Sequence, residues 1–198
     1  MKEYTRTYFL YEYYELDEEA KEKVKQDYLA QDFRNDMFKE NVTYQLKEMF
    51  PNSELKVQYS LNYCQGDGLN IYGTLNIKDI FSLTENKFND KIKNEINLEE
   101  LSEFNLLETD EIKLPYNLKY CYDISNQIDF VEDEEDTDNA SKVQKWIQNL
   151  FHVLNKYFEE YGYSWFYEIS DEEMQEDSES NGWTYLKDGT FFTDFGDE

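Results

Sequence analysis

The side chains with the most chemical potential are carboxylates, and they fall in two clusters. Glu132, Asp133, Glu134, Glu135, Asp136 and Asp138 fill a seven-residue run in which only Thr137 is uncharged. Glu172, Glu173, Glu176, Asp177 and Glu179 follow Asp171 at helical spacing, which places i, i+3 and i+4 members roughly 5–6 Å apart on one face. Carboxylates this dense can ligate a metal, share acid–base work, or imitate the field of a phosphate backbone, which carries one charge per roughly 1.7 Å of duplex axis. The D-x-D-x-D-G frame of a calcium loop is absent, and Asp136-x-Asp138 does not replace it. Only Asp67, Asp79, Asp123 and Asp129 could be imagined as a two-metal set, and no motif joins them. No metal or cofactor is therefore expected. For each cluster, a solvated surface and a partner-binding surface both stay open. Like charges along one helix face cost stability, and Asp177 and Glu179 lie too far from the first turn to recover it from the helix dipole. That favours a partner for the second cluster.

Nucleophiles and bases are few. His152 is the single histidine, between Phe151 and Val153, and reads as a core or boundary residue of a helix. Cys64 and Cys121 have no CxxC or CxxH company and read as two half-buried reduced thiols. There is no G-x-S-x-G, P-loop or dinucleotide fingerprint, so no enzyme is expected.

Net charge excludes a further class. Forty-five acids against 19 bases give −26, and the bases are Lys except for Arg6 and Arg34. Nucleic-acid binding needs clustered Lys and Arg to neutralise phosphates, so direct DNA or RNA binding is rejected. The excess is uneven: residues 1–120 hold 24 acids and 15 bases, net −9, whereas 121–198 hold 21 and 4, net −17. No run is apolar enough for a membrane span, and a cytoplasmic protein of a host bacterium is expected.

The elements that must position these groups read as α+β. Eighteen Tyr, 14 Phe and 3 Trp give material for a core. Thr5–Tyr14 reads as a strand. Asp17 caps a helix whose stripe is Leu16, Ala20, Val24 and Tyr28, and a second helix over 35–50 buries Phe38, Val42, Leu46 and Met49 before Pro51. Leu55–Tyr63 and Leu69–Ile77 alternate apolar and polar around Gly66-Asp67-Gly68, a β-hairpin. Residues 78–110, rich in Asn and Lys, read as an insertion with short helical patterns near Phe88–Ile92 and Leu98–Leu107. Ile112–Ile124 and Ile128–Val131 read as two more strands, and 132–138 as an acidic loop. The longest helix spans about Ala140–Tyr161, with Gly162 as its C′ residue. Ser170 and Glu173 form a capping box for the last helix, and Trp183–Phe192 reads as a strand and a turn. With no linker or repeat, one compact domain over 1–198 is expected, an antiparallel sheet with helices packed on one face.

Three segments resemble a family of small phage and prophage proteins of mostly unknown function, some labelled antitoxin-like. Tyr14–Lys23 is similar to its "ELSEEAKEKA" opening, Tyr59–Gly68 to its "SLSYCQGDG" hairpin, and Ser170–Phe191 to its C-terminal pattern. They keep the family's order and cover roughly a quarter of the chain. The resemblance implies a phage-like origin and an α+β fold, and no chemistry. The Asn/Lys-rich middle and the acidic run at 132–138 depart from the pattern.

Together these readings lead to the expectation of an inhibitor from a phage or mobile element. It would block a basic nucleic-acid-binding defence protein, a CRISPR effector or restriction enzyme, by mimicking nucleic acid with the two acidic clusters, and Trp183 would add contact area. An antitoxin-like or regulatory protein that binds one basic partner is the alternative, and a metal-dependent enzyme is the third reading. Oligomeric state is left open.

Overall fold

The computed structural model describes residues 5–107, 109–116, 128, 130 and 135–193. It has the expected α+β class, with an antiparallel three-stranded sheet in the order β1-β2-β3. The helices are α1 (Glu18–Leu29), α2 (Phe33–Met49), α3 (Ile77–Phe81), α4 (Asp90–Lys93), α5 (Thr137–Tyr167) and α6 (Asp171–Asn181), and the strands are β1 (Glu54–Ser60), β2 (Gly68–Asn76) and β3 (Glu111–Leu114). The chain forms two compact units, Met1–Arg34 with Ser164–Glu198, and Asn35–Tyr163. Both boundaries fall inside helices, so no Pro- or Gly-rich linker marks them.

In the larger unit, period-two patterning puts apolar residues on one face of the sheet. Cross-strand partners Leu55↔Gly73, Val57↔Ile71, Tyr59↔Leu69 and Leu75↔Ile112 share that face. Phe38, Val42 and Leu46 of α2 and Val143, Ile147, Leu150, Leu154 and Phe158 of α5 are buried, and Phe38 meets Tyr59 edge-on at 4.9 Å. Buried Asn155 of α5 accepts the Ile71 N–H at 2.9 Å, fixing the helix against the central strand. Residues 78–110 bury Ile80, Phe88, Ile92 and Leu101, and the Trp146 indole N–H donates to the Asn97 carbonyl at 2.9 Å.

Several expectations are corrected. The hairpin forms, but its first strand ends at Ser60, and Leu61–Asp67 make a loop. Of the expected Ile112–Ile124 strand, Ile112–Leu114 lie in β3, which ends before Pro115; residues 117–127 lie outside the described residues. Of the expected Ile128–Val131 strand only Ile128 and Phe130 are among the described residues, and both are buried. Gln148 donates to the Ile128 carbonyl at 3.2 Å and the Phe130 N–H donates to Gln144 at 3.3 Å, tying these residues to α5.

The long helix does not stop at Gly162 but continues to Tyr167. A Cβ at Gly162 would come within 2.4 Å of Leu61 Cδ1 and 2.9 Å of Phe38 Cζ, so close packing against those side chains, not chain termination, favours glycine there. His152 is exposed, on a polar stripe with Lys145, Asn149 and Lys156 at i+3 and i+4 spacing. Cys64 is exposed in the hairpin loop rather than half-buried; Cys121 lies outside the described residues.

In the smaller unit, Asp17 caps α1 by accepting the Ala20 N–H at 3.0 Å, and Ser170 with Glu173 forms the expected capping box on α6. Leu16, Ala20, Val24, Tyr13, Met174 and Tyr185 form its core. Thr5–Tyr14 is not a strand. Tyr11 makes a single bridge to Tyr185, and the Glu15 carboxylate then takes the Glu12 N–H at 3.0 Å and turns the chain into a 3₁₀ helix at Tyr13–Glu15. Tyr185 bridges Phe191 in turn, across the Leu186–Thr190 turn.

Candidate functional site

The structure divides the acids into those used internally and those facing solvent. In the first cluster, Glu132, Asp133 and Glu134 lie outside the described residues. Asp136 caps α5, accepting the Asn139 N–H at 3.1 Å, and Asp138 pairs with Lys142 at 2.6 Å. Glu135 is exposed and has no hydrogen bond or ion pair among the described residues. The expected 132–138 loop therefore gives way to helix at Thr137, because Asp136 supplies the cap.

In the second cluster, Glu173 closes the capping box, and the Ser170 N–H, then its hydroxyl, hold that carboxyl below the usual range. Asp177, for which no dipole compensation was available, is stabilised instead by the Tyr28 hydroxyl, which donates to it at 2.7 Å. Glu179 accepts from Gln175 at 2.8 Å. Glu172 and Glu176 are exposed with no such bond among the described residues. Asp171 is held low by the Lys25 ammonium at 2.9 Å, then by the Tyr13 hydroxyl at 2.9 Å. Per residue, the smaller unit is much the more acidic. Its 69 residues hold 20 acids and 7 bases, net −13, as much as the 129 residues of the other unit.

The same unit contains an open aromatic cleft of about 240 Å³. Tyr28, Phe33, Trp183, Tyr185 and Phe191 line it, with Val24 and Met174 at its base and Asp27 and Gln31 among its polar groups. Tyr28–Phe33, Tyr28–Trp183 and Trp183–Phe191 lie 6.1, 5.9 and 5.9 Å apart at 72°, 55° and 81°, so the rings do not stack flat and close the space. Phe33 and Phe191 are 44% and 47% exposed, a poor disposition for purely structural side chains. Beside them, Arg34 is buried with its guanidinium over the Tyr28 and Trp165 rings at 4.8 and 4.9 Å. Burial, then the Asp177 hydrogen bond, push the Tyr28 hydroxyl up to about 12. Trp183, expected to add contact area, is one of the lining rings; the rest of the cleft has no signal in the sequence, because its walls come from three separated stretches.

The buried acids of the larger unit are structural. Asp79 accepts from the Asn52 N–H at 2.9 Å, the Asn52 amide at 2.7 Å and the Ser53 hydroxyl at 2.6 Å. Asp67 organises the hairpin loop. It accepts from the Asn62 and Cys64 N–H groups at 2.6 and 2.9 Å, the Ser60 and Tyr163 hydroxyls at 3.0 Å each, and the Cys64 thiol at 3.1 Å. Asp123 and Asp129 lie outside the described residues. Among the described residues, no group of three or more His, Cys, Asp or Glu converges as a metal site.

Burial raises the Asp67 carboxyl, but the Cys64 thiol and N–H, the Asn62 N–H and Tyr163 outweigh it and hold it far below the ordinary carboxylate range. A folded-state value below the unfolded one gives stability that is present above the unfolded value, about 3.9, and lost as pH falls through the folded one. Asp67→Asn is therefore expected to destabilise the chain at pH 7, since one amide hydrogen donor would face N–H donors. The gap to the natural chain should narrow as pH drops below about 4. Urea unfolding at pH 7 and pH 3 checks this, and a gap that widens in acid would contradict it.

Compared with known proteins, the chain matches no family model, no curated protein and no solved structure. Among the described residues, no helix is long and apolar enough to cross a membrane.

Proposed function

We propose that this protein is an acidic inhibitor that binds the basic surface of a nucleic-acid-binding protein, acting in the cytoplasm of a bacterial host. The carrying observation is the coincidence, within one 69-residue unit, of net charge −13 and an open aromatic cleft. Charge of one sign steers a basic partner and sets the encounter rate, and exposed aromatic side chains supply the buried contact area that charge alone lacks. Glu172 and Glu176, exposed on α6, are the described acids of the second cluster best placed for this role, with Glu135 from the first. A CRISPR effector or a restriction enzyme fits as target, because each keeps a basic channel for nucleic acid.

Capture of purified CRISPR effectors and restriction enzymes on the immobilised chain tests the reading. Binding is expected at about 0.1 M salt and to fall steeply towards 1 M, where the screening length shrinks from roughly 10 to 3 Å. The E135Q/E172Q/E176Q chain should bind about tenfold more weakly at low salt, chiefly through slower association. Failure to hold any basic nucleic-acid-binding protein at low salt would sink the proposal.

A further inference from the structure

We propose that the aromatic cleft of the smaller unit receives a cationic side chain, lysine or arginine, presented by a basic protein; the choice of partner rests on the function proposed above, and the cleft chemistry stands by itself. Three observations carry it. First, the rings of Phe33, Trp183 and Phe191 border an open space, and a cation over an aromatic face is attracted by the ring quadrupole. Second, the one charged residue that lines this cleft is an acid, Asp27. The Asp27 carboxylate has no hydrogen bond or ion pair among the described residues, and behind the lining Asp177 accepts from the Tyr28 hydroxyl. An anionic ligand would be repelled by Asp27 in a unit of net charge −13, and a neutral apolar ligand would strip water from Asp27 without replacing it.

Third, the unit already holds one cation this way. The Arg34 guanidinium lies between Tyr28 and Trp165, donating to the Trp165 carbonyl, with no carboxylate in ion-pair contact among the described residues. Arg34 uses the Tyr28 ring, so the exposed or half-buried rings left for a ligand are those of Phe33, Trp183 and Phe191. Arg34 and Asp177, both against Tyr28, are opposite in charge, and Asp27 is the charged residue of the lining itself.

The test is a titration of the full chain at low salt with N-acetyl-arginine methylamide and its neutral citrulline counterpart, read from the three indole N–H signals in NMR. The arginine compound is expected to move Trp183 while leaving Trp146 in place, and to bind about tenfold more tightly than the citrulline compound. Phe33→Ala should weaken it about fivefold, and Asp27→Asn by a similar factor. Both side chains are well exposed, so both variants should fold, and an unmoved Trp146 signal checks that they do. Equal affinity for the two compounds, or a Trp183 signal that does not move at saturation, overturns the proposal. If a basic nuclease is captured equally by Phe33→Ala and the natural chain, the cleft proposal falls while the acidic-inhibitor reading stands. If the arginine compound binds at Trp183 and no basic protein is captured, the reverse holds.

Discussion

Phe151→Ala is expected to lower the unfolding free energy by about 3–5 kcal/mol, the range for deleting a buried phenylalanine and leaving a cavity. Phe151 is fully buried and stacks on Phe50 at 5.7 Å and 23°, joining α5 to the end of α2 in the larger unit. Domains are stable by only about 5–15 kcal/mol, so the loss is a third or more of the total. For a chain of this size it should appear as a fall in Tm of about 6–20 °C. The adjacent His152→Ala is the control. His152 faces solvent, and its removal should change stability by no more than about 0.5 kcal/mol. Calorimetry on both variants decides the matter, and equal effects would mean that the apolar stripe of α5 is not the core.

That contrast also shows what was legible in the sequence. Features decided within one turn of helix could be read directly: Asp17 and Ser170 cap the helices they were expected to cap, and the apolar stripes of α1, α2 and α5 are buried except at their partly buried tyrosines, such as Tyr28. The hairpin was legible because nine-residue alternation on each side of a glycine-bearing turn has one economical pairing. Features set by distant partners were not. Gly162 looks like a helix terminator, yet Phe38 and Leu61 determine its size. Thr5–Tyr14 has strand composition, but a ladder needs a second strand and Tyr11 finds one residue, Tyr185.

The acids carry the same lesson into the candidate site. A carboxylate is free or committed according to the donors that the fold brings to it. Asp177 meets Tyr28 across 149 residues of sequence, and Asp171 meets Tyr13 across 158. No local pattern distinguishes them from Glu172 and Glu176, which stay in solvent. Composition thus located the acidic region, and tertiary contacts selected the members of it that can face a partner.

Gly189→Ala is expected to abolish the cleft. Gly189 has φ +77°, a conformation that costs an L-residue about 1–2 kcal/mol. A Cβ there would also lie 2.4 Å from the Ala20 carbonyl oxygen, and neither partner can yield cheaply. Ala20 is buried in α1, where the Asp17 cap holds its N–H, and Gly189 closes a turn in which its own N–H donates to Leu186 at 2.9 Å. Relieving the contact moves the turn that carries Phe191 away from α1, which carries Tyr28 and Val24, and so separates opposite walls of the cleft. With about 1–3 kcal/mol for the overpacking, the total is about 2–5 kcal/mol, and arginine-compound binding at Trp183 should fall at least about tenfold. Gly182→Ala separates the two contributions. Gly182 also has positive φ, +66°, as the C-cap of α6, but a Cβ there meets nothing within 4 Å. It should cost only the conformational part, about 1–2 kcal/mol, and leave the Trp183 titration unchanged. If the two substitutions destabilise equally and both keep the titration, the approach of the turn to α1 does not shape the cleft. If Gly189→Ala alone loses it, the cleft is held open by a contact that only glycine permits.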